Sequence, residues 1–147
     1  MLRHMDGAYA IRRAAAATLL LAACAFPAVS QEQLPKPVAK WFEALGAVDR
    51  IAFGELIAAD AVIELRSLSF SQTKSEYIGA LDNWEELSAD TEIRTRPVSE
   101  REGGTTVQVC YRRPSEAWTN LEVFGFSNGF ITGVVQERIA DDCAGFD

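Results

Sequence analysis

TTVQVCYRRPSEAWTNLEVFGFSNGFITGVVQERI, from Thr105 to Ile139, decides the fold. Two turn signals divide it. Pro114-Ser115 separates TTVQVCYRR from EAWTNLEVFGF, and proline pre-sets φ for the first turn position. Asn128-Gly129 separates EVFGFS from FITGVVQERI, and both residues accept the positive φ of a two-residue hairpin turn. Three antiparallel strands follow. If both turns hold two residues, Tyr111 lies opposite Trp118, Val109 opposite Asn120, and Glu122 between Val107 and Val135. Side chains alternate between faces along a strand. One face then carries Val107, Val109, Tyr111, Trp118, Asn120, Glu122, Phe124, Ile131, Val135 and Ile139. The other carries Gln108, Cys110, Arg112, Thr119, Leu121, Val123, Thr132, Gln136 and Arg138. The first face is the more apolar and is assigned inward. A one-residue slip would reverse the faces of the strand concerned.

Upstream, Pro37 suits a helix start, and Val38, Trp41, Phe42 and Leu45 form the apolar stripe of an amphipathic helix weakened at its end by Gly46. Asp49 reads as the N-cap of a shorter helix through Ile51, Phe53, Leu56 and Ile57. AVIELRSL, residues 61–68, alternates as a strand. Residues 71–73 break it, and SEYIGALDNWEEL, residues 75–87, reads as a third helix. Thr91 to Glu102 is a polar strand whose Pro97 suits an edge or a bulge, and Gly103-Gly104 turns it into Thr105. The order predicts an α+β fold: a curved antiparallel sheet, three N-terminal helices on its concave face, and a conical pocket between them.

The chain has 147 residues, 48% of them apolar and 24% charged, enough for one domain with a core. Its net charge of −7 argues against a nucleic-acid partner. Arg3, Arg12 and Arg13 precede an apolar run from Ala14 to Ala25 that is too short to span a membrane. Residues 1–30 therefore read as a signal peptide, 31–37 as a linker and 38–147 as the domain. Two processing routes stay open. Ala28-Val29-Ser30 has the small-x-small form of an ordinary signal-peptidase site, which would give a periplasmic or secreted protein. Leu21-Ala22-Ala23-Cys24 has the form of a lipobox, in which Cys24 would be lipidated and the protein would meet a membrane. Removing residues 1–30 takes away Arg3, Arg12, Arg13 and Asp6, and leaves 11 Lys+Arg against 20 Asp+Glu, a net charge of −9.

Cys110 and Cys143 survive either cut, and export makes a disulfide between them the expectation. Cys110 lies opposite Thr119, and the tail from Ala140 could fold back across that strand on the outer face. The alternative is two free thiols with Cys110 buried.

VAKWFEALGAVDRIAFGELIAADAVIEL (Val38 to Leu65) and LEVFGFSNGFITGV (Leu121 to Val134) resemble the opening and the last hairpin of the nuclear-transport-factor-2-like superfamily, which includes SnoaL-like polyketide cyclases and ketosteroid isomerase. The resemblance covers most of residues 37–139. It implies the cone and a pocket, but no one activity, since the superfamily hosts isomerases, cyclases, dehydratases and non-catalytic binding modules. Against ketosteroid isomerase, the general-base position is Leu65, the oxyanion tyrosine position is Trp41, and the oxyanion-hole acid position is Glu122. Two of these three positions have changed, so the resemblance does not carry steroid isomerisation over.

The single histidine, His4, leaves with the signal, which removes a His base, a Ser-His or Cys-His pair and a His metal ligand. No cofactor motif is present, and Asp141-Asp142 reads as a solvated pair, not a metal site. The best constellation is Glu122 with Asn120 and Tyr111: a carboxyl in an apolar cone, its pKa raised by burial, acting as acid or base on a bound ligand. The plain alternative is a half-buried Glu122 paired with Arg96, which lies opposite Tyr111 if Gly103-Gly104 is the turn. Trp41, Tyr77, Tyr111, Trp118, Asn120 and Glu122 are the predicted pocket lining, with Trp84 either beside them or in the core. Glu64 and Arg66 read as a surface pair. Three functions are consistent with this: an exported binder of a small apolar ligand without catalysis, a lyase or isomerase using Glu122, and an accessory module with a filled cone. The apolar outer positions Leu121 and Val123 favour a homodimer.

Overall fold

A computed structural model describes residues 33–146; the signal segment and Cys24 lie outside the described residues. Helix α1 (Lys36–Ala47) buries Val38, Trp41, Ala44 and Leu45, with Pro37 in its first turn. It closes at Val48, whose left-handed backbone (φ 52°) lets Asp49 N–H donate to Ala44 O at 2.9 Å. Asp49 then caps α2 (Arg50–Leu56), its carboxylate accepting from Ile51 N and Ala52 N. One residue therefore ends the first helix and its neighbour starts the second, which turns the stripe of α1 toward Phe53. Helix α3 (Lys74–Ser88) starts one residue earlier than expected, because Thr73 and Glu76 form a reciprocal capping box.

The sheet has six strands: β1 (Ile57–Leu65), β2 (Phe70–Thr73), β3 (Glu92–Arg101), β4 (Gly104–Arg112), β5 (Ala117–Ser127) and β6 (Phe130–Ala140). Their order is β2-β1-β6-β5-β4-β3. The expected antiparallel sheet is corrected to a mixed one, because β6 returns beside β1 in parallel. The predicted strand over 61–68 is displaced: β1 begins at Ile57 and ends at Leu65. A 3-10 turn over Arg66–Leu68 then feeds β2, which the sequence reading took for a break. Phe70 followed by three polar residues carries too little alternation to announce a strand.

Both hairpin turns hold two residues. Beyond the Arg112–Ala117 pair, Arg113 N–H donates to Glu116 O at 2.8 Å and encloses Pro114-Ser115; Ser127 pairs with Phe130, with Asn128 (φ 51°) and Gly129 (φ 84°) both left-handed. Tyr111 faces Trp118, Val109 faces Asn120 and Glu122 faces Val107, as counted. The third strand departs from the count. Gly125 pairs with Gly133 and Phe126 with Ile131, so Thr132 is an extra residue. Beyond this bulge the faces of β6 reverse. Glu122 pairs with Gln136, not Val135, and Gln136 points inward. A second irregularity sets Asn120 against Arg138 and Thr119 against Ala140. Ile139, expected inward, is pushed out and is 46% exposed. Two glycines facing each other leave room for the bulge: a Cβ on Gly125 would sit 3.2 Å from Thr132 Oγ1.

On the other side, the β3–β4 turn is Glu102-Gly103, not Gly103-Gly104. Arg101 pairs with Gly104, Arg96 faces Gln108, and Ile93 faces Tyr111. Pro97 lies on the edge strand next to a bulge. These irregularities bend the sheet around the helices. Trp41 is at the centre, 5.0 Å from the rings of Phe53 and Tyr77 and 5.6 Å from Phe124.

The tail after β6 crosses the outer face. Cys143 is bonded to Cys110 with a sequence separation of 33. Thr119 Oγ1 donates to Asp142 O at 2.6 Å, Arg94 donates to Phe146 O at 2.6 Å, and the Arg96 guanidinium lies 4.9 Å from the Phe146 ring. A cross-link of this span removes about 3–4 kcal/mol of unfolded-chain entropy. Reducing it, or replacing both cysteines with serine, is expected to lower the free energy of unfolding by that amount, read as a lower denaturant midpoint, while leaving far-UV circular dichroism unchanged. An unchanged midpoint would show that the bond contributes nothing to stability.

Candidate functional site: a buried carboxyl behind an aromatic chamber

Strands β4, β5 and β6 each place one or two side chains around the same point. Glu122, in the middle of β5, is 0% exposed. Its Oε1 accepts from Tyr111 Oη at 2.7 Å and from Asn120 Nδ2 at 3.4 Å, and its Oε2 accepts from Gln136 Nε2 at 3.2 Å. All three partners are neutral. Burial raises the pKa of Glu122, and the hydrogen bonds from Tyr111, Gln136 and Asn120 work against that rise without cancelling it. The phenol of Tyr111 is pushed well above its ordinary value, by burial first and then by the neighbouring carboxylate, so it keeps its proton and donates. Burial and the same carboxylate also raise the Tyr77 phenol.

In front of this cluster is a chamber of about 220 Å³. Its lining includes Tyr77, Leu81 and Trp84 from α3, Tyr111 and Trp118 from β4 and β5, and Leu65 from β1, with Asn120 and Gln136 on one wall. Leu65, Trp118, Asn120 and Gln136 also line an outer cleft of about 260 Å³ that ends at Ser67, Leu68 and Arg138. The aromatic rings support one another. Trp118 stacks on Tyr111 (centroids 5.2 Å apart, 14° between planes), and Trp84 meets Tyr111 edge-on at 5.9 Å. Trp84 is fixed by its Nε1–H, which donates to Leu45 O at 2.9 Å and ties α3 to the end of α1. A larger hollow of about 820 Å³ lies between Leu34, Lys36 and Ala39 on one side and Thr95, Arg96 and Pro97 on the other. It borders no buried ionisable group, which leaves the smaller chamber as the candidate site.

Of the predicted lining, Tyr77, Tyr111, Trp118 and Asn120 reach the chamber. Glu122 is sealed one layer behind it. Trp41 is not at the wall; it is 0% exposed in the core, and its Nε1 has no partner among the described residues. The suggested Glu122–Arg96 pairing is ruled out, because Arg96 is on the outer face with its donors on Gln108 and Gly145 O. Glu64 and Arg66 do form the expected surface pair at 3.1 Å. Asp141 pairs with Arg138 at 2.9 Å, and Asp142 accepts from Ala144 N. The sequence reading missed Gln136 and Arg138, which it placed outside. The signal for both was the Gly125–Gly133 pair, since glycine inside a strand marks a bulge.

No protein-family model matches the chain, and no curated protein does either. Solved structures do match. A candidate ketosteroid isomerase from Kribbella flavida DSM 17836 superposes with a TM-score of 0.59 at 20% identity, over 70% of this chain and 75% of that one. A loop-truncation variant of IdmH gives 0.62 at 18% identity, over 69% and 89%. A protein with a ketosteroid-isomerase-like fold from Catenulispora acidiphila DSM 44928, crystallised with trimethylamine, gives 0.56 at 16% identity, over 71% and 86%. The chain has the nuclear-transport-factor-2-like fold. At these identities the likeness is one of fold, and the function has to be argued from the site.

The state of Glu122 has a measurable consequence in this nuclear-transport-factor-2-like cone. A carboxyl whose pKa is raised on folding binds more protons in the native chain than in the unfolded one. Its contribution therefore favours folding below the unfolded value, about 4.3, and is lost as pH rises through the folded value, with a slope of at most about 1.4 kcal/mol per pH unit. Glu122→Gln keeps the shape and removes the titration. The variant is expected to gain stability relative to the parent as pH rises from 4 to 8, measured by denaturant unfolding at each pH. A constant difference across that range would mean that Glu122 does not titrate with a raised pKa.

Proposed function

We propose that this is an exported protein that binds a small, largely apolar ligand in the chamber formed by Tyr77, Leu81, Trp84, Tyr111 and Trp118. The observation that carries this is the chamber itself: about 220 Å³ of open volume, with aromatic and aliphatic walls, beside a cluster of buried polar groups. A cone filled by its own side chains, as a purely structural module would have, would leave no such space. Apolar walls with a few convergent polar groups are the ordinary make-up of a small-ligand site. The Catenulispora protein, which has a ketosteroid-isomerase-like fold, was crystallised in complex with trimethylamine, so a protein of this fold can hold a small guest. Export is argued from the basic and apolar composition of residues 1–30 and from the disulfide, which suits an oxidising compartment. Titration with the neutral fluorophore N-phenyl-1-naphthylamine is expected to give one saturable site with quenching of tryptophan emission. Ala80→Phe, which projects into the chamber, should weaken that site at least tenfold. Binding that the Phe variant leaves unchanged would move the site elsewhere.

A second reading, isomerase or lyase chemistry, is favoured by one contact, the 2.7 Å hydrogen bond from Tyr111 to Glu122. Because Glu122 is sealed, any proton it exchanges with a ligand would have to pass through the Tyr111 phenol or wait for the wall to open. For this reading, a ketone bound in D₂O should exchange its α-protons, followed by NMR. Glu122→Gln should abolish the exchange without weakening binding. Exchange that persists in the variant would remove Glu122 from the chemistry.

A further inference from the structure

We infer that the chamber selects a cationic guest: an alkylammonium group, tertiary or quaternary, carried on a small apolar body. The inference rests on the ligand-binding reading above and specifies its chemistry. It starts from where the donors go. Tyr111 Oη, Asn120 Nδ2 and Gln136 Nε2 all point at Glu122. A side-chain amide is planar, with oxygen and nitrogen on separate arms, so an N–H₂ turned toward Glu122 turns its carbonyl oxygen away from it. Asn120 and Gln136 line both the inner chamber and the outer cleft. The polar atoms they can offer a guest are therefore weighted toward acceptors, and the Tyr111 oxygen adds another. Each amide keeps one N–H, so hydrogen bonding alone does not exclude an acceptor guest. The charge supplies the sign. The one ionisable group directly behind the wall is a carboxyl, and none of its partners is a cation. Four aromatic side chains, Tyr77, Trp84, Tyr111 and Trp118, line the same space. Trp118 is stacked on Tyr111 and Tyr77 on Trp41, which leaves Trp84 as the lining ring not stacked face to face on another, and a ring face attracts a cation, most strongly when water is excluded. An anionic guest would meet the same carboxylate with repulsion.

Arg138 does not contradict this. Its guanidinium lies 5.5 Å from the Trp118 ring, lines only the outer cleft and is paired with Asp141. It also shows that a cation already occupies one side of Trp118. Arg66, the other arginine near the mouth, is bound to Glu64 and Glu137.

A bound cation favours the ionised form of Glu122, so its affinity should rise with pH. The groups that face Glu122 are Tyr111 from β4, Asn120 from its own strand, Gln136 from β6 and, electrostatically, Tyr77 from α3. Both phenols hold their protons well past neutrality, which leaves Glu122 as the titrating member of the cluster. The mouth carboxylates Glu64, Glu137 and Asp141 lie outside it, and Glu122→Gln separates their share.

The test compares two probes of one shape on the disulfide-bonded protein: choline and its neutral carbon isostere 3,3-dimethylbutan-1-ol, with 3,3-dimethylbutanoate as the anion. Each is measured by displacement of N-phenyl-1-naphthylamine and by calorimetry, at pH 8 and pH 5. At pH 8 choline is expected to bind at least tenfold more tightly than the alcohol, and the anion most weakly. The preference should shrink at pH 5 and fall to within about threefold in Glu122→Gln. Should Glu122→Gln fail to fold, the isostere ratio and its pH dependence in the parent protein still decide the question. Naphthylamine binding with the alcohol equal to or tighter than choline overturns the cationic class and leaves the pocket reading intact. A choline preference that neither pH 5 nor the Gln variant reduces overturns the role of Glu122. Failure of all probes, the naphthylamine included, removes the pocket reading itself.

Discussion

Glu122 is held in the interior by three neutral donors from three adjacent strands. An ionised carboxyl moved out of water loses several kcal/mol of solvation, and only partners with good geometry restore it. Tyr111, Asn120 and Gln136 are those partners, and the site depends on their arriving together. Each hydrogen bond is also a statement of register. Tyr111 reaches Glu122 only because β4 and β5 pair with Val107 opposite Glu122, and Gln136 reaches it only because β6 pairs with Gln136 opposite Glu122. Shifting either hairpin by one residue would leave the carboxyl buried without donors, or would send it to the outer face. The polar cluster therefore penalises wrong registers that the apolar residues around it would tolerate.

The bulge at Thr132 is what makes the third donor available. Counted straight from the Asn128-Gly129 turn, β6 would bring Val135 to Glu122 and leave its Oε2 without a donor from that strand. The extra residue reverses the faces, turns Gln136 and Arg138 inward, and releases Ile139 to solvent. It also bends the sheet at a point where two glycines leave space for the backbone. Curvature and polar satisfaction thus share one cause. The bend that forms the concave wall is also the irregularity that completes the carboxyl's hydrogen bonding.

The sequence was readable where a residue type carries its own geometry. Asn128-Gly129 and Pro114-Ser115 announce their turns, Asp49 announces its cap, and the apolar spacing of Val38, Trp41 and Leu45 announces a helix face. From these, the pairing of β4 with β5 and the inward direction of Tyr111, Asn120 and Glu122 followed by counting. What could not be counted was any place where the chain departs from two-residue periodicity. The Gly103-Gly104 turn was placed one residue late, which shifts the register by two, and the bulge after Pro97 shifts it by one more; together they set Arg96 opposite Tyr111 in place of Gln108 and produced a pairing with Glu122 that does not exist. The β6 bulge hid Gln136. Parallel pairing of β1 with β6 has no local signature, because it joins strands separated by most of the domain. Trp41 was misassigned to the pocket for a different reason: periodicity shows which way a helix faces, but not how deep along its axis the packing closes.

Depth also decides what stands at the positions that the family resemblance assigns to isomerase chemistry. At the position the family resemblance assigns to an oxyanion tyrosine, Trp41 is packed between Phe53, Tyr77 and Phe124 and fills the base of the cone. At the general-base position, Leu65 supplies apolar wall to both the chamber and the outer cleft. The one acid that persists, Glu122, is covered by Tyr111, Asn120 and Gln136 and faces no ligand directly. These three differences act in one direction. A plugged base and a greased wall leave a short, aromatic chamber near the mouth, and the carboxyl behind it can reach that space only through charge and through the orientation of its donors. A group in that position can set which guests are held, by the sign of its field, without touching them. Direct proton transfer would instead require the wall to open, and the hydrogen bonds that would have to break for that are the ones that keep the carboxyl stably buried.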